Sequence, residues 1–358
     1  MSELATERDV LRSALAGLRE DLPPSWQWRV EEEPRRGSAR FDALVTLGAP
    51  DGQSATLAVE AKRLVATRDV AHALQQLRAN MARGALPGAV PLVVARYLSP
   101  TTRERLDREG VAYADATGNR RLALERPALF LRNVGADRDP WRGPGRPRGT
   151  LQGKPAARLV RWLADVAPPY TPLQVAEGSG ASTGATYRVI TFLEEEALVE
   201  RQPRGPITVV QWRQLLERWS RDAGFERSGP QSLLFPRGVE ALVEALRAAP
   251  DLRYVLTGSL AAQRYAPHAA VRFAMLYADD VGAAIERLGL RRVDTGANVL
   301  VAPDRHGVGF LRAQEAEGLH LAAPSQIAVD LLTGPGRSPN EGTALLDWME
   351  AHEPEWRA

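Results

Sequence analysis

Two apolar runs joined by a short polar turn limit what this chain can fold into more than any other feature. The runs are RFDALVTL (residues 40–47) and TLAVEAKR (56–63), and the intervening GAPDGQS carries an Asp51-Gly52 pair. Strand-forming runs on either side of an Asp-Gly turn predict an antiparallel hairpin. Alternate side chains of a strand share one face, so Glu60 and Lys62 point the same way. Asp42, placed on the first strand, can reach them from next door. Around this hairpin, residues 3–20 and 69–84 carry helical periodicity, the second ending at Gly84. VPLVVARYL (90–98) is a continuous apolar run of the kind buried in a parallel or mixed sheet. A Ser-capped, Gly-stopped helix follows over 99–110, then two short strands about the Gly-Asn turn of VAYADATGNRRLAL. This alternation argues an α/β domain over residues 1–133.

The polar residues on the second strand carry the chemistry. Two carboxylates, Asp42 and Glu60, are hard oxygen ligands suited to a divalent cation, Mg²⁺ or Mn²⁺. Such an ion polarises a phosphodiester and acidifies bound water. Lys62 can orient or help deprotonate that water and offset charge building on the phosphate. Gln76, on the following helix, can fix the water or a phosphate oxygen. Of the 46 basic residues only Lys62 and Lys154 are lysines. In a chain so biased to arginine, a retained lysine marks a position that needs a compact ammonium in place of a planar fork. The plainer reading is an edge strand with an exposed Glu/Lys pair that discourages aggregation.

RFDALVTL, the turn, LAVEAK and the helix carrying Gln-Leu resemble the PD-(D/E)XK superfamily of restriction-endonuclease-like nucleases. The resemblance implies metal binding by Asp42 and Glu60, a catalytic role for Lys62, and a site position for Gln76. It further implies an acid on the first helix, Glu7 or Glu20. Phe41 stands where the family's frequent proline would be. The segment YADATGNRRL (113–122) is simple turn chemistry on its own. It is similar to segments that follow such domains in bacterial proteins with winged helices.

Residues 134–153 hold the densest Pro/Gly/Arg run and predict a linker. Eight basic residues lie between Arg132 and Arg161 against Asp137 and Asp139, a local charge that suits a polyanion. Within this run, RGPGRPRG (142–149) resembles an AT-hook, which would lay Arg142, Arg146 and Arg148 in a narrow minor groove; a plain linker has the same composition. Residues 154–222 have the rhythm of helix, helix, turn, helix and hairpin, and resemble a winged helix-turn-helix of bacterial transcription regulators. That resemblance implies DNA contact by Lys154, by Ser182, Thr183, Thr186, Tyr187 and Arg188 at the start of the last helix, and by Arg201 and Arg204 in the wing.

Residues 223–358 read as a further α/β stretch. YVLTGSLAAQRYAP (254–267) and VRFAMLYADD (271–280) give strand, Gly-Ser turn, helix and strand, similar to a nucleotidyltransferase core. Leu276 and Ala278 occupy the positions where that family carries carboxylates, and Asp279 and Asp280 come late and adjacent, so the core reads as degenerate. Together with the winged helix, this region resembles AbiE-type (type IV) antitoxins, which repress transcription. The expected architecture is therefore α/β multidomain: nuclease-like domain, basic linker, winged helix, nucleotidyltransferase-like domain.

The chain contains no cysteine, which excludes a disulfide framework and thiolate metal sites. No apolar run approaches the ~18 residues of a membrane span, and the acidic, amphipathic N-terminus does not read as a signal peptide. Net charge is only +2 and decides nothing about partners. The expectation is a cytoplasmic, nucleoid-associated DNA-binding protein with a Mg²⁺-dependent endonuclease domain, acting in defence or genome maintenance. The alternative is an antitoxin-type transcriptional regulator whose nuclease-like domain does not cut. Expected partners are DNA, with a second copy in a homodimer and a toxin-like protein as further candidates.

Overall fold

The computed structural model describes residues 6–63, 65, 67–137, 139–141, 150–203, 205–267, 271 and 273–358. The chain is mixed α/β and divides into two compact units, Met1–Arg148 with Glu195–Ala197, and Gly149–Glu194 with Leu198–Ala358.

The first unit begins with α1 (Glu7–Glu20), entered through a capping box in which Thr6 and Asp9 exchange hydrogen bonds. There follow β1 (Gln27–Glu32), the short pair β2 (Arg35–Arg36) and β3 (Ala39–Arg40), and the expected hairpin as β4 (Ala43–Gly48) and β5 (Ser54–Lys62). Ala43 stands opposite Val59 and Gly48 opposite Ser54, and Gly52 takes φ +85° in the turn, where glycine is favoured. Next come α2 (Val70–Arg83), β6 (Val90–Ala95), α3 (Pro100–Arg108), β7 (Ala112–Asp115), β8 (Arg120–Leu124) and β9 (Leu129–Asn133). The seven strands lie in the order β1-β4-β5-β6-β7-β8-β9, with β5, β6 and β7 parallel and the outer pairs antiparallel.

Alternation along β5 distributes its side chains. Leu57, Val59 and Ala61 join Val10, Ala14 and Leu18 of α1 in one core layer. Ala58 packs with Leu77 of α2 on the opposite face. Glu60 and Lys62 therefore share the α2 face of the sheet. The sequence reading missed β1, because the alternation in QWRVEE is confined to Trp28 and Val30 and the strand is exposed along nearly its whole length.

Residues 134–137 and 139–141, expected to open the linker, are instead tied to the first unit. Gly135 N–H donates to Asn119 Oδ1 at 2.9 Å, and Tyr97 hydroxyl donates to the Asp137 carbonyl at 2.7 Å. Arg96 pairs with Asp139 at 3.3 Å and lies over the Trp141 ring. A Cβ on Gly135 would meet the Thr117 carbonyl oxygen at 2.3 Å, so this approach demands glycine.

The second unit contains α4 (Lys154–Asp165), α5 (Pro172–Ser179), α6 (Thr183–Glu195), β10 (Val199–Arg201), β11 (Ile207–Val210), α7 (Trp212–Ser220), β12 (Gln231–Leu234), α8 (Gly238–Arg247), β13 (Tyr254–Thr257) and α9 (Gly258–Ala262). It continues through β14 (Ala274–Ala278), α10 (Val281–Leu288), β15 (Arg291–Arg292), β16 (Val299–Pro303), β17 (Gln314–Ala316), β18 (Leu319–Leu321), α11 (Pro324–Leu332), α12 (Ser338–Ala351) and α13 (Glu353–Trp356). Its large sheet has the order β15-β12-β16-β14-β13-β18-β17. The expected boundary near residue 222 does not divide it: one hydrophobic core runs from Leu151 to Trp356.

A buried ionic knot binds α4 to the rest of the unit. Arg161, fully buried, pairs with Asp165 at 3.0 Å and donates to the Val308 and Leu311 carbonyls and to Gln326. Arg161 was counted above in a basic surface stretch. Its spacing with Ala157, Ala164 and Asp165, four residues before and three and four after, puts it on a buried side of α4, where its charge is neutralised internally.

Candidate functional site

The hairpin delivers Asp42, Glu60 and Lys62 to one place. Asp42 stands in the bend immediately before β4 and not on the strand, with its N–H bonded to the Val59 carbonyl at 3.2 Å. Its Oδ2 accepts the Ala61 N–H at 2.7 Å, which locks the carboxylate against β5. Among the described residues, Oδ1 accepts no hydrogen bond. Lys62 Nζ lies 2.8 Å from Glu60 Oε1. The Glu60 side chain is only 12% exposed while that of Lys62 is 40% exposed, so the pair lines a recess with its cation outermost.

Burial pushes the Asp42 carboxyl up; the Ala61 N–H bond opposes this, and the nearby Glu60 charge adds to it. Lys62 is held above its ordinary value, first by its hydrogen bond to Glu60 and then by the Glu60 and Asp42 charges. The Glu7 charge bears on both Asp42, which it helps to raise, and Lys62, which it helps to hold up. Of the two first-helix acids left open by the sequence, Glu7 thus belongs to this neighbourhood, brought in from the opening turn of α1. Gln76 is exposed on α2, the helix that covers the Glu60 face.

A metal at this site has a fitting donor set: two hard carboxylates in a half-buried recess, with Asp42 Oδ1 uncommitted. In this conformation the second donor, Glu60, is engaged by Lys62. Among the described residues, no group of three or more His, Asp or Glu side chains is placed around one point to hold an ion.

The helix-turn-helix stretch has its own geometry. α5 is capped by a Thr171–Gln174 box, and α6 follows after Gly180 at φ +66°. Ser182 Oγ accepts the Ala185 N–H and starts α6. Tyr170 bridges to Ile207 through paired backbone bonds beside the β10–β11 hairpin. Thr183, Gly184, Tyr187, Arg188, Thr191 and, at the far end, Glu195 form the solvent face of α6, with the Ser182 cap exposed before them and Tyr187 47% exposed. The Arg188 guanidinium lies back beside Gly184. Lys154 is exposed at the first turn of α4.

Two expected contacts are corrected. Thr186 is fully buried and its hydroxyl donates to the Ser182 carbonyl at 3.0 Å; it shares the inward face with Ile190 and Leu193, three and four residues apart. Arg201 is not a free wing cation, because its guanidinium pairs with Glu194 at 3.0 Å and fixes the hairpin base to the end of α6. Arg142, Arg146, Arg148 and Arg204 lie outside the described residues. Thr191 was missed, although its spacing from Tyr187 and Arg188 places it on their face.

Two further polar centres are structural. Asp115, fully buried, accepts hydrogen bonds from Leu98 N, Thr117 N, Thr117 Oγ1, Asn119 N and Asn119 Nδ2, all between 2.7 and 3.0 Å. The Tyr-x-Asp-x-x-Gly-Asn segment is thereby a staple between β7, β8 and the segment after β6. In the second unit, Asp330 accepts from Thr257, Tyr277 and Gln326 at 2.7–2.9 Å, and burial pushes its carboxyl up to about 7. Asp280 caps α10 and Asp279 sits beside Arg253 on the surface. No described helix is long and apolar enough to cross a membrane.

No protein-family model, curated protein or solved structure matches the chain.

Proposed function

We propose that this chain is a DNA-binding protein with a phosphodiester-cleaving centre at Asp42, Glu60 and Lys62. The convergence of these three side chains, with Lys62 2.8 Å from Glu60 and Asp42 fixed to the strand between them, is the observation that carries the reading. Asp42 and Glu60 would hold a Mg²⁺ or Mn²⁺ ion, which when bound supplies Lewis-acid polarisation of the scissile phosphate. Lys62 stays protonated at neutral pH, because the neighbouring acids hold its pKa up. Its role is then electrostatic: a fixed ammonium offsets negative charge accumulating on the phosphoryl oxygens. Glu7 adds negative potential that favours a cation in the recess, and Gln76 is a candidate to orient water or phosphate from α2.

In this reading α6 is the recognition helix of a winged helix. Tyr187, Arg188, Thr183 and Thr191 face the groove, and Ser182 and Lys154 contact phosphate. The solvent face supports this by combining a cation, small hydroxyls and an exposed aromatic ring on one helix side. A second reading, a regulator that binds DNA without cutting, is favoured by one observation: Lys62 already neutralises Glu60, as a static ion pair would. Incubating supercoiled DNA with the protein and Mg²⁺ or Mn²⁺, beside Lys62→Ala and Glu60→Gln, separates the two. Metal-dependent cutting lost in both variants supports the nuclease. Sequence-selective retention without cutting, unchanged in both, supports the regulator.

A further inference from the structure

The two edges of the first unit's sheet are treated differently. At one end, β1 is guarded by charge: Glu32 is held by Arg8 and Arg12, and Glu31 by Arg36. Charged side chains of this kind keep an open strand edge from pairing with another chain. At the other end, β9 carries one charged side chain, Arg132, beside strongly exposed apolar ones. Phe130 is 66% exposed and Val134, just beyond the strand, 71% exposed. These are the two most exposed large hydrophobic residues among those described. Phe130, Arg132 and Val134 alternate along the chain and so lie on one face. Leu131 points to the other face, into the α1 layer. Among the described residues β9 pairs with β8 alone, which leaves one row of its backbone N–H and C=O groups without a described strand partner.

We propose that β9 is the dimer interface, pairing antiparallel with β9 of a second copy about a twofold axis at Leu131. The sequence of the strand is complementary to itself in that register. Leu131 faces its own copy. Phe130 faces Arg132 of the second copy, and Arg132 faces Phe130 of the second copy. Directly opposed side chains in an antiparallel pair are close enough for a guanidinium to lie over a ring. The pairing therefore forms two cation–π contacts, joins two aliphatic surfaces and opposes no like charges. To make this contact Arg132 exchanges its 3.4 Å hydrogen bond to Asp107 Oδ2, while Arg121 remains 3.0 Å from Asp107 Oδ1 and keeps that carboxylate paired. Moving the axis to Arg132 would set that residue against its own copy, and moving it to Phe130 would give up both cation–π contacts, so the Leu131 register is the one that charge and ring pairing favour.

A charge-swap series on the full chain, followed by sedimentation velocity across a concentration series, tests this. Wild type should dimerise. Phe130→Arg sets arginine against Arg132 and should raise the dimer dissociation constant by about tenfold or more. The double variant Phe130→Arg/Arg132→Phe exchanges the partners and should restore dimerisation to near the wild-type value. Val30→Arg on the opposite edge should change nothing. Both substituted β9 positions are exposed, so folding is not at stake. A chain that stays monomeric into the high micromolar range would overturn the proposal, as would a dimer indifferent to Phe130→Arg. Failure of the double variant to recover would overturn the self-pairing register, as expected if a different protein occupied the edge.

Discussion

Asp115 is the residue whose removal should cost the first unit most for the smallest change in volume. Its carboxylate satisfies the buried backbone N–H groups of Leu98 and Asn119 and the half-buried one of Thr117, together with the Asn119 amide and the Thr117 hydroxyl. Asp115→Ala strands the backbone donors, while the Asn119 amide keeps its bonds to the Ala136 carbonyl and Thr117 Oγ1. A buried donor stranded in this way costs about 1–3 kcal/mol. Local relaxation and an entering water recover part of that, so the net loss for the group is about 3–5 kcal/mol, the range for breaking one side of a buried charged network. Against a domain stability of roughly 5–15 kcal/mol that is a large fraction, and at ~2–4 °C per kcal/mol for a unit of this size it lowers Tm by about 10 °C. Scanning calorimetry on the full chain reads this as a downward shift of one transition. Asp51→Ala, which removes one exposed turn bond to Gln53 N–H, is the matched control and should cost less than ~1 kcal/mol. A loss below ~1 kcal/mol for Asp115→Ala would refute the assignment of Asp115 as the staple of its unit.

Three other outcomes follow from the same geometry. Tyr187→Ala and Arg188→Ala should each weaken duplex DNA binding, measured by fluorescence anisotropy, by about 1–3 kcal/mol. Thr186→Ala should leave binding near wild type and lower stability by ~1 kcal/mol, because that residue is core. Asp330 supplies a pH signature: its carboxyl, near 3.8 when unfolded, is raised to about 7 in the fold. The native state then holds the proton more tightly, so this group's contribution is full below pH ~4 and is lost as pH rises through about 7. Urea unfolding should show stability falling by about 1.4 kcal/mol per pH unit from this group across that window, and Asp330→Asn should flatten that slope.

The parts legible in the sequence were those with a short period. The β4–β5 hairpin, α2, β6 and α3 follow from alternation, caps and glycine stops within a dozen residues, and the Asp42–Glu60–Lys62 convergence follows from the hairpin alone. Thr186 was also readable, since its spacing to Ile190 and Leu193 marks the inward face, but the helix start drew attention to residue types instead of phase. β1 was missed, because an edge strand exposed along nearly its whole length shows its alternation only at Trp28 and Val30. The choice of Glu7 over Glu20 depends on where α1 begins relative to β5, a tertiary relation. The Arg161–Asp165 pair has a readable i,i+4 spacing, but its burial and its bonds to Val308, Leu311 and Gln326, like the Glu194–Arg201 pair, are selected only by folding. Asp330 lies in an apolar helix with nothing nearby in the sequence to announce Thr257 and Tyr277.

The central claim is that the recess on the α2 face of the first unit's sheet is a metal-dependent phosphodiester-cleaving centre carried by a DNA-binding chain. The most direct test is a cleavage time course on supercoiled and linear DNA with Mg²⁺, with Mn²⁺ and with chelator, run in parallel on wild type and Lys62→Ala, with DNA retention measured on the same samples. The account predicts cutting that requires the metal and is lost in Lys62→Ala while retention persists. Retention without cutting under every metal condition, identical in the two proteins, would contradict it and leave Glu60–Lys62 as a structural ion pair in a DNA-binding regulator.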